Sequence, residues 1–273
     1  ATLGPQLARD LQPDSTACAD HQGCATRNAK VHVTLSKMLE NGWHIHKFPD
    51  LSLIEEAREI IRSKINIPRI EDFHLHFPSD ILPLQYELSN ELVKHRSVRK
   101  IMESDKDFFY ELIGRDLHIQ KFPYLRIARP SRPEDNIGIH RDTWYGSSPY
   151  ETNVSIALTA TNKESALRIV PGSHAKPEDF YPTVEREGGH PKHSTAHKLG
   201  FLYAPKKLVK PVPDLPVPLQ IGEALMFGAS LLHGQELNSS SSTRLSVDVR
   251  LVDSSAPIQW MRTARQDYYE PFS

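Results

Sequence analysis

The 273-residue sequence is poor in cysteine and has no long apolar run. Its two cysteines, Cys18 and Cys24, cannot cross-link a domain of this length. They flank His21, but three such residues fall short of the four ligands that structural zinc takes. We therefore expect ordinary thiols or one local disulfide, and a reducing, cytoplasmic location.

Membrane-spanning helices need about 18 or more consecutive apolar residues, and no segment approaches that length. The first residues also lack the basic and then apolar order of a signal peptide. An excess of charge is missing too, since 33 basic residues face 34 acidic ones and the net charge is −1. Nucleic acid or a membrane surface is therefore not expected as a partner, whereas a small molecule is.

The motifs of several common enzyme classes are also absent. The sequence contains no Gly-x-Gly-x-x-Gly, no P-loop Gly-Lys-Ser, no His-Glu-x-x-His and no Gly-x-Ser-x-Gly. Nucleotide-driven chemistry and serine-hydrolase chemistry are therefore disfavoured.

The chain length suits one large domain, which we expect over residues 31–273. Residues 1–30 are rich in small and polar types, and we expect them to form a flexible or irregular arm. An alternating run at 43–48 predicts a short strand.

Helices are expected next, within about 50–115. A first helix should run over 50–64, where Ser52 and Glu55 form a capping-box pattern. A second helical region covers 84–114 and should break near Ser104.

From residue 117 to about 252 the sequence changes to short extended segments separated by Pro, Gly, Ser and Asn. Such a series, with no helical pattern between its members, predicts a jelly roll or double-stranded β-helix, preceded by the helices. The candidate strands lie at 118–129, 151–160, 166–170, 197–203, 217–220, 223–228, 231–237 and 244–252.

A histidine and an aspartate stand two residues apart in the segment IGIHRDTW, as His140 and Asp142. On an extended segment, such side chains point to the same face. A third ligand must come from a distant strand, and His233 in LLHGQEL is the candidate. Two histidines and one carboxylate on one octahedral face are the ligand set of non-haem iron(II) oxygenases. The pattern therefore predicts an iron centre at His140, Asp142 and His233.

Arg244 follows the distal histidine by eleven residues, and Ser246 lies on the same strand face. A guanidinium and a hydroxyl together suit the distal carboxylate of a dicarboxylic co-substrate. Arg250, six residues further on, shares that nominal face and competes for the role.

The runs ALRIVPGSH at 166–174, IGEALMFGASLLHG at 221–234 and TRLSVDVRLV at 243–252 resemble the phytanoyl-CoA dioxygenase branch of the iron(II)/2-oxoglutarate oxygenases. The resemblance implies a cupin-like dioxygenase domain that uses iron(II), 2-oxoglutarate and dioxygen. It implies iron ligation by the triad just named and 2-oxoglutarate binding by Arg244, with Ser246 as a further contact. Hydroxylation of a small polar metabolite or biosynthetic intermediate, with release of succinate and carbon dioxide, is the expected reaction.

Residues near these ligands are the candidates for substrate contact. Tyr124 and Arg126 alternate on the strand before His140, and a buried Arg126 needs an anionic partner. Trp144 and Tyr145 follow the aspartate and either wall the pocket or pack at the barrel rim.

Two further segments have a functional and a structural interpretation. Residues 174–200 form either a solvated loop or a lid that carries Tyr181 and Arg186 toward substrate. Lysines 206, 207 and 210 form a solvated face, or they contact a phosphorylated or acidic substrate.

Alternatives of other classes remain open at this point. The histidine pairs His44/His46 and His74/His76 have no matched downstream arginine, so surface or packing roles are expected for them. The whole chain could be a jelly-roll metal-binding or sensing protein without oxygenase activity. A cupin-like isomerase or epimerase is disfavoured, because the His-x-His and following Glu of cupins are not found around residue 140.

Overall fold

The computed structural model describes residues 21–185, 206–257 and 268–272, without the side chains of residues 21–28 and 145. Helices precede a set of antiparallel strands, as the sequence predicts. The helices are α1 His21–Asn41, α2 Leu51–Ile65, α3 Phe73–His76, α4 Leu82–Lys94, α5 Ser97–Glu103 and α6 Lys106–Leu112. The strands before the metal-binding segment are β1 Trp43–Lys47, β2 Leu117–Gln120 and β3 Tyr124–Ala128. Those after it are β4 Thr152–Ala157, β5 Leu167–Ile169, β6 Thr183–Glu185, β7 Lys206–Leu208, β8 Leu215–Val217, β9 Glu223–Gly228, β10 His233–Gly234, β11 Arg244–Asp253 and β12 Tyr269–Pro271.

Two facing antiparallel sheets form the jelly-roll core. The larger sheet has the order β1-β9-β4-β11-β2-β12, with β3 also paired to β11. The smaller sheet has the order β10-β5-β8. A separate pair, β6 with β7, lies outside both. The fold is therefore mainly β with flanking helices, which confirms the expected fold class.

Strand β11 separates two environments because its side chains alternate between the faces of the large sheet. Leu245, Val247, Val249 and Leu251 are fully buried and pack with the helices in the larger hydrophobic cluster. The alternate residues face the space between the sheets, where they line a polar cavity; they are Arg244, Ser246, Asp248 and Arg250. The hydrophobic core thus lies on one side of the sheet and the polar cavity on the other.

The N-terminal helices differ from the expectation at three points. The irregular arm predicted for 1–30 does not reach residue 30, since α1 begins at His21. Asp50, not Ser52, caps α2, because its carboxylate accepts the Ser52 backbone N–H at 2.9 Å. Glu55 instead pairs with Arg58. The second helical region breaks at Arg96, with φ 54°, as well as at Ser104.

Several strand boundaries also differ from the sequence assignment. The run 118–129 forms two strands, β2 and β3, interrupted by Pro123, which has no N–H to donate to a ladder. The strand expected at 217–220 is β8, two residues earlier, and that at 231–237 shortens to β10. The run 197–203 lies outside the described residues. Within the described chain, no helix has both the length and the apolarity that a bilayer crossing requires.

Candidate metal centre

The three predicted ligands come together from two neighbouring segments. His140 and His233 lie opposite each other in an antiparallel bridge, with backbone N–H to O distances of 2.8 and 2.9 Å. Asp142 follows after the extended residue Arg141, and its own N–H donates to the Ala229 carbonyl at 3.0 Å. The three side chains are buried, and their potential ligand atoms lie within 4.8 Å of one another. The two-residue spacing therefore places a histidine and an aspartate on one face, as predicted.

Hydrogen bonds fix the tautomer of both histidines. The Nδ1 atom of His140 lies 2.8 Å from the Gly138 carbonyl oxygen, and that of His233 lies 2.9 Å from the Leu231 carbonyl oxygen. A carbonyl can only accept, so each Nδ1 carries the proton and each Nε2 keeps its lone pair. The Nε2 atoms lie 3.6 Å and 3.9 Å from Asp142 Oδ1. Three electron-pair donors thus face a common point.

Burial keeps the distal histidine neutral. Loss of hydration on burial, together with the charge of the nearby His140, lowers the pKa of His233 to about 4. A neutral imidazole is the form that binds a metal. Two imidazole nitrogens and one carboxylate oxygen suit iron(II), so the residues present fit this metal.

Arg250 holds the second oxygen of the aspartate. Its Nη2 donates to Asp142 Oδ2 at 2.7 Å, and both side chains are buried. Burial alone would lower the pKa of Arg250, but Asp142, Tyr268 and Glu151 outweigh that effect and raise it. Arg250 is therefore a charged partner that leaves Asp142 Oδ1 facing the histidines.

Arg244 differs from Arg250 because it has no carboxylate partner among the described residues. Its Nη2 donates to the Gln235 side-chain oxygen, and its Nε has no hydrogen-bond partner there. Burial lowers the pKa of Arg244 to about 10, still well above neutrality, so the guanidinium stays charged. A buried cation without an anion is costly, which fits a site that receives a carboxylate.

The four residues predicted to contact substrate differ in whether they lie near the metal cavity. Arg126 lines the cavity, and its Nε donates to Asp248 Oδ2 at 3.0 Å, so its anionic partner belongs to the chain. Tyr124 lies beside it, with the Arg250 guanidinium 5.6 Å from its ring centre. Trp144 points elsewhere, because its Nε1 donates to Glu178 at 2.9 Å. The side chain of Tyr145 is not described.

Residues 173–181 contact Arg141, which directly precedes the aspartate ligand. The Arg141 guanidinium donates to the carbonyls of Ser173 and Lys176 at 2.8 and 3.1 Å. Tyr181 packs against the same arginine, with 5.7 Å between guanidinium and ring. The segment 174–200, for which the sequence left a solvated loop and a lid open, therefore begins with an anchored stretch, while Arg186 and residues 187–200 lie outside the described residues.

Two of the competing histidines, His46 and His74, make contacts within the fold. His46 is fully buried and stacks on Phe108 with ring centres 4.3 Å apart. His74 lies in helix α3, and its Nδ1 is 2.9 Å from Thr243 Oγ1.

Sequence reasoning missed polar residues that strand pairing brings to the cavity. Asn153 on β4 pairs in register with Arg250 on one side and with Phe227 on the other. Its Nδ2 is buried and has no hydrogen-bond partner among the described residues. Ser155 donates to Asp248 Oδ1 at 2.7 Å. The alternation of polar and apolar residues along β4 was the available signal.

A buried two-histidine, one-carboxylate site inside a jelly roll defines the class of non-haem iron oxygenases. The chain belongs to the phytanoyl-CoA dioxygenase (PhyH) family, whose sequence profile matches residues 84–246, more than half of its length. It is therefore a 2-oxoglutarate-dependent enzyme, and iron(II), 2-oxoglutarate and dioxygen are the cofactor and co-substrates of its class. An alternative as a sensing protein without oxygenase activity is not favoured.

Solved structures share the fold at low sequence identity. The epimerase SnoN, in complex with Fe3+, alpha ketoglutarate and nogalamycin RO, has a TM-score of 0.53 at 16% identity over 87% of this chain and 88% of that chain. EvdO2 from Micromonospora carbonacea var. aurantiaca has a TM-score of 0.52 at 14% identity, over 85% and 95%. The non-heme monooxygenase ThoJ has a TM-score of 0.52 at 12% identity, over 88% and 80%. A comparison with curated proteins found no match.

Proposed function

We propose that this enzyme hydroxylates a small polar metabolite or biosynthetic intermediate. Iron(II) would be held by His140 Nε2, His233 Nε2 and Asp142 Oδ1, three donors that the chain already directs at one point. When bound, the iron with 2-oxoglutarate supplies the activation of dioxygen, with succinate and carbon dioxide as by-products. The convergence of these three buried side chains is the observation that carries the proposal.

The role of Arg244 is to bind the distal carboxylate of 2-oxoglutarate. Its guanidinium has no carboxylate partner in the described chain and lies on the same strand face as Ser246. Gln235 holds the Nη2 atom of Arg244, and the Nε atom has no hydrogen-bond partner among the described residues, so it is available to a carboxylate. Asn153 offers a second free donor, for the carboxylate nearer the metal.

Asp142 and Arg250 act together as a positioning pair. Arg250 neutralises the carboxylate and occupies its Oδ2 atom, so Oδ1 stays directed at the metal position. The presence of a carboxylate at this position favours oxygen transfer over halogenation, which needs a vacant coordination site. The alternative outcomes are desaturation, ring closure, epoxidation and epimerisation, the last being the activity for which SnoN is described.

Product analysis tests the reaction type. The iron-loaded enzyme is incubated with 2-oxoglutarate, oxygen and polar metabolite fractions, and succinate release is followed together with mass spectra. Hydroxylation requires a product that gains one oxygen atom, formed by the wild type and not by the His233→Ala variant. A product of unchanged mass, formed with succinate, would contradict hydroxylation and indicate epimerisation.

A further inference from the structure

We propose that the primary substrate carries a phosphate group and that this group binds in a groove lined by lysines next to the metal centre. The proposal rests on the oxygenase function and names its substrate class. The lysine groove, as we call it, is an open depression of about 470 Å³. Lys206, Lys207 and Lys210 line one side, and the segment 137–139 lines the other.

The lysine groove carries more positive than negative charge. Among the described residues, its three lysines form no ion pair. Two acidic residues also line the groove, Asp214 and Glu236, but both pair with Arg168, at 2.6 and 3.3 Å. Arg168 offsets one of these two carboxylates, so the three lysines exceed the remaining acidic charge by two.

The lysine groove adjoins the metal cavity. Ile137 lines both spaces, so they lie next to each other. The next residue, Gly138, lines the groove and also accepts the hydrogen bond from His140 Nδ1. A small molecule whose anionic group lies among the lysines can therefore extend past Ile137 toward the metal.

The metal cavity itself has no charge left for an anionic substrate. Of the three arginines that line it, Arg126 pairs with Asp248, Arg250 pairs with Asp142 and Glu151, and Arg244 has no carboxylate partner in the described chain. Three positive charges thus stand beside three negative ones. The two positive charges of iron(II) likewise balance the two negative charges of the 2-oxoglutarate dianion. An ionised substrate group beside the iron would therefore be buried without a partner, which is costly. The anionic part of a substrate is better placed in the groove.

Three lysines in five residues suit a doubly charged oxyanion. Lysine ammonium groups are compact charges that bind phosphate without the flat geometry that arginine imposes. Lys207 and Lys210 are exposed and Lys206 is half-buried, so we expect moderate affinity that falls as salt is added. The part of the substrate that reaches the cavity should be uncharged.

Titration of the full chain with inorganic phosphate tests the proposal. Binding is measured by calorimetry at low ionic strength in the wild type and in the K206Q/K207Q/K210Q variant. We expect the dissociation constant to rise by about tenfold or more in the variant, as three weak exposed ion pairs are lost. Acylation of lysines, read by mass spectrometry, should show phosphate protecting these three positions.

A matched variant, K37Q/K47Q/K163Q, removes the same charge from other exposed lysines. It should keep wild-type phosphate affinity. The proposal is overturned if the groove variant binds phosphate as the wild type does, if both variants lose affinity equally, or if the wild type does not bind phosphate. Visible spectra with iron(II) and 2-oxoglutarate, taken on the same preparations, report separately on the oxygenase site. Absence of the charge-transfer band in these spectra would contradict the proposed oxygenase function, whereas it would leave phosphate binding in the lysine groove unaffected.

Discussion

Arg244 and Arg250 lie on the same face of β11, yet their surroundings differ. Arg250 is paired with Asp142 at 2.7 Å, whereas the hydrogen-bond partner of Arg244 among the described residues is the amide oxygen of Gln235. The sequence places both arginines toward the cavity but cannot show which one is free, because their partners come from other segments. The structure supports Arg244 as the residue available for a co-substrate carboxylate.

Replacement of Arg244 by Ala should therefore weaken 2-oxoglutarate binding specifically. Loss of a buried partner for a carboxylate costs about 3–5 kcal/mol. At about 1.4 kcal/mol per factor of ten, the dissociation constant should rise by about two to three and a half orders of magnitude. Arg244→Lys should recover part of this loss, because an ammonium cannot form the bidentate pair. Anaerobic calorimetry with the iron-loaded protein measures the effect.

The Arg250→Ala variant is the internal control. It should weaken iron binding, since Asp142 loses the partner that orients it. In Arg244→Ala, by contrast, iron affinity should stay near the wild-type value. Loss of 2-oxoglutarate affinity in Arg250→Ala, with Arg244→Ala unaffected, would contradict the assignment.

At the scale of elements, close approach of two backbones sets the position of His140. The segment 138–140 passes directly over Gly234 of β10. A Cβ atom at Gly234 would lie 2.2 Å from the Gly138 carbonyl oxygen and 2.8 Å from the Ile139 Cα. Both contacts are with backbone, so neither can rotate away. Only glycine allows the two histidine-bearing segments to pair.

Gly234→Ala should accordingly displace the segment that carries His140. We expect a loss of about 1–3 kcal/mol in the free energy of unfolding, as for overpacked sites. Iron affinity should fall by about tenfold or more, because the Gly138 carbonyl that orients His140 moves as well. Chemical denaturation and metal titration measure the two effects.

Gly228→Ala is the matched control for that substitution. A Cβ at this strand position meets no atom within 4 Å. Stability and iron affinity should remain near the wild-type values. Equal losses in both variants would show that the close approach at Gly234 is not the cause.

The sequence predicts some elements better than others, for physical reasons. Strand β11 and helix α2 are long and periodic, so their faces follow from the sequence. Strand β10 has two residues and owes its place to pairing with β5 and His140, which no local pattern encodes. Asn153 and Asp248 were missed because their role depends on strand register. The metal ligands could be predicted because two of the three, His140 and Asp142, lie only two residues apart in the sequence.

For the whole molecule, the metal centre and the main hydrophobic core are separate. The larger hydrophobic cluster packs the helices against one face of the large sheet, whereas the ligands lie between the two sheets. Removal of a ligand should therefore abolish metal binding without unfolding the chain. This separation allows the central assignment to be tested on folded variants.

Anaerobic titration of the wild type with iron(II) and then 2-oxoglutarate tests the account most directly. Chelation of iron by 2-oxoglutarate should produce a weak visible charge-transfer band with one iron per chain. His140→Ala and His233→Ala should lose both the band and the iron, while their circular dichroism stays like that of the wild type. A wild type that binds iron without developing the band, or a ligand variant that keeps one iron and the band, would contradict the account.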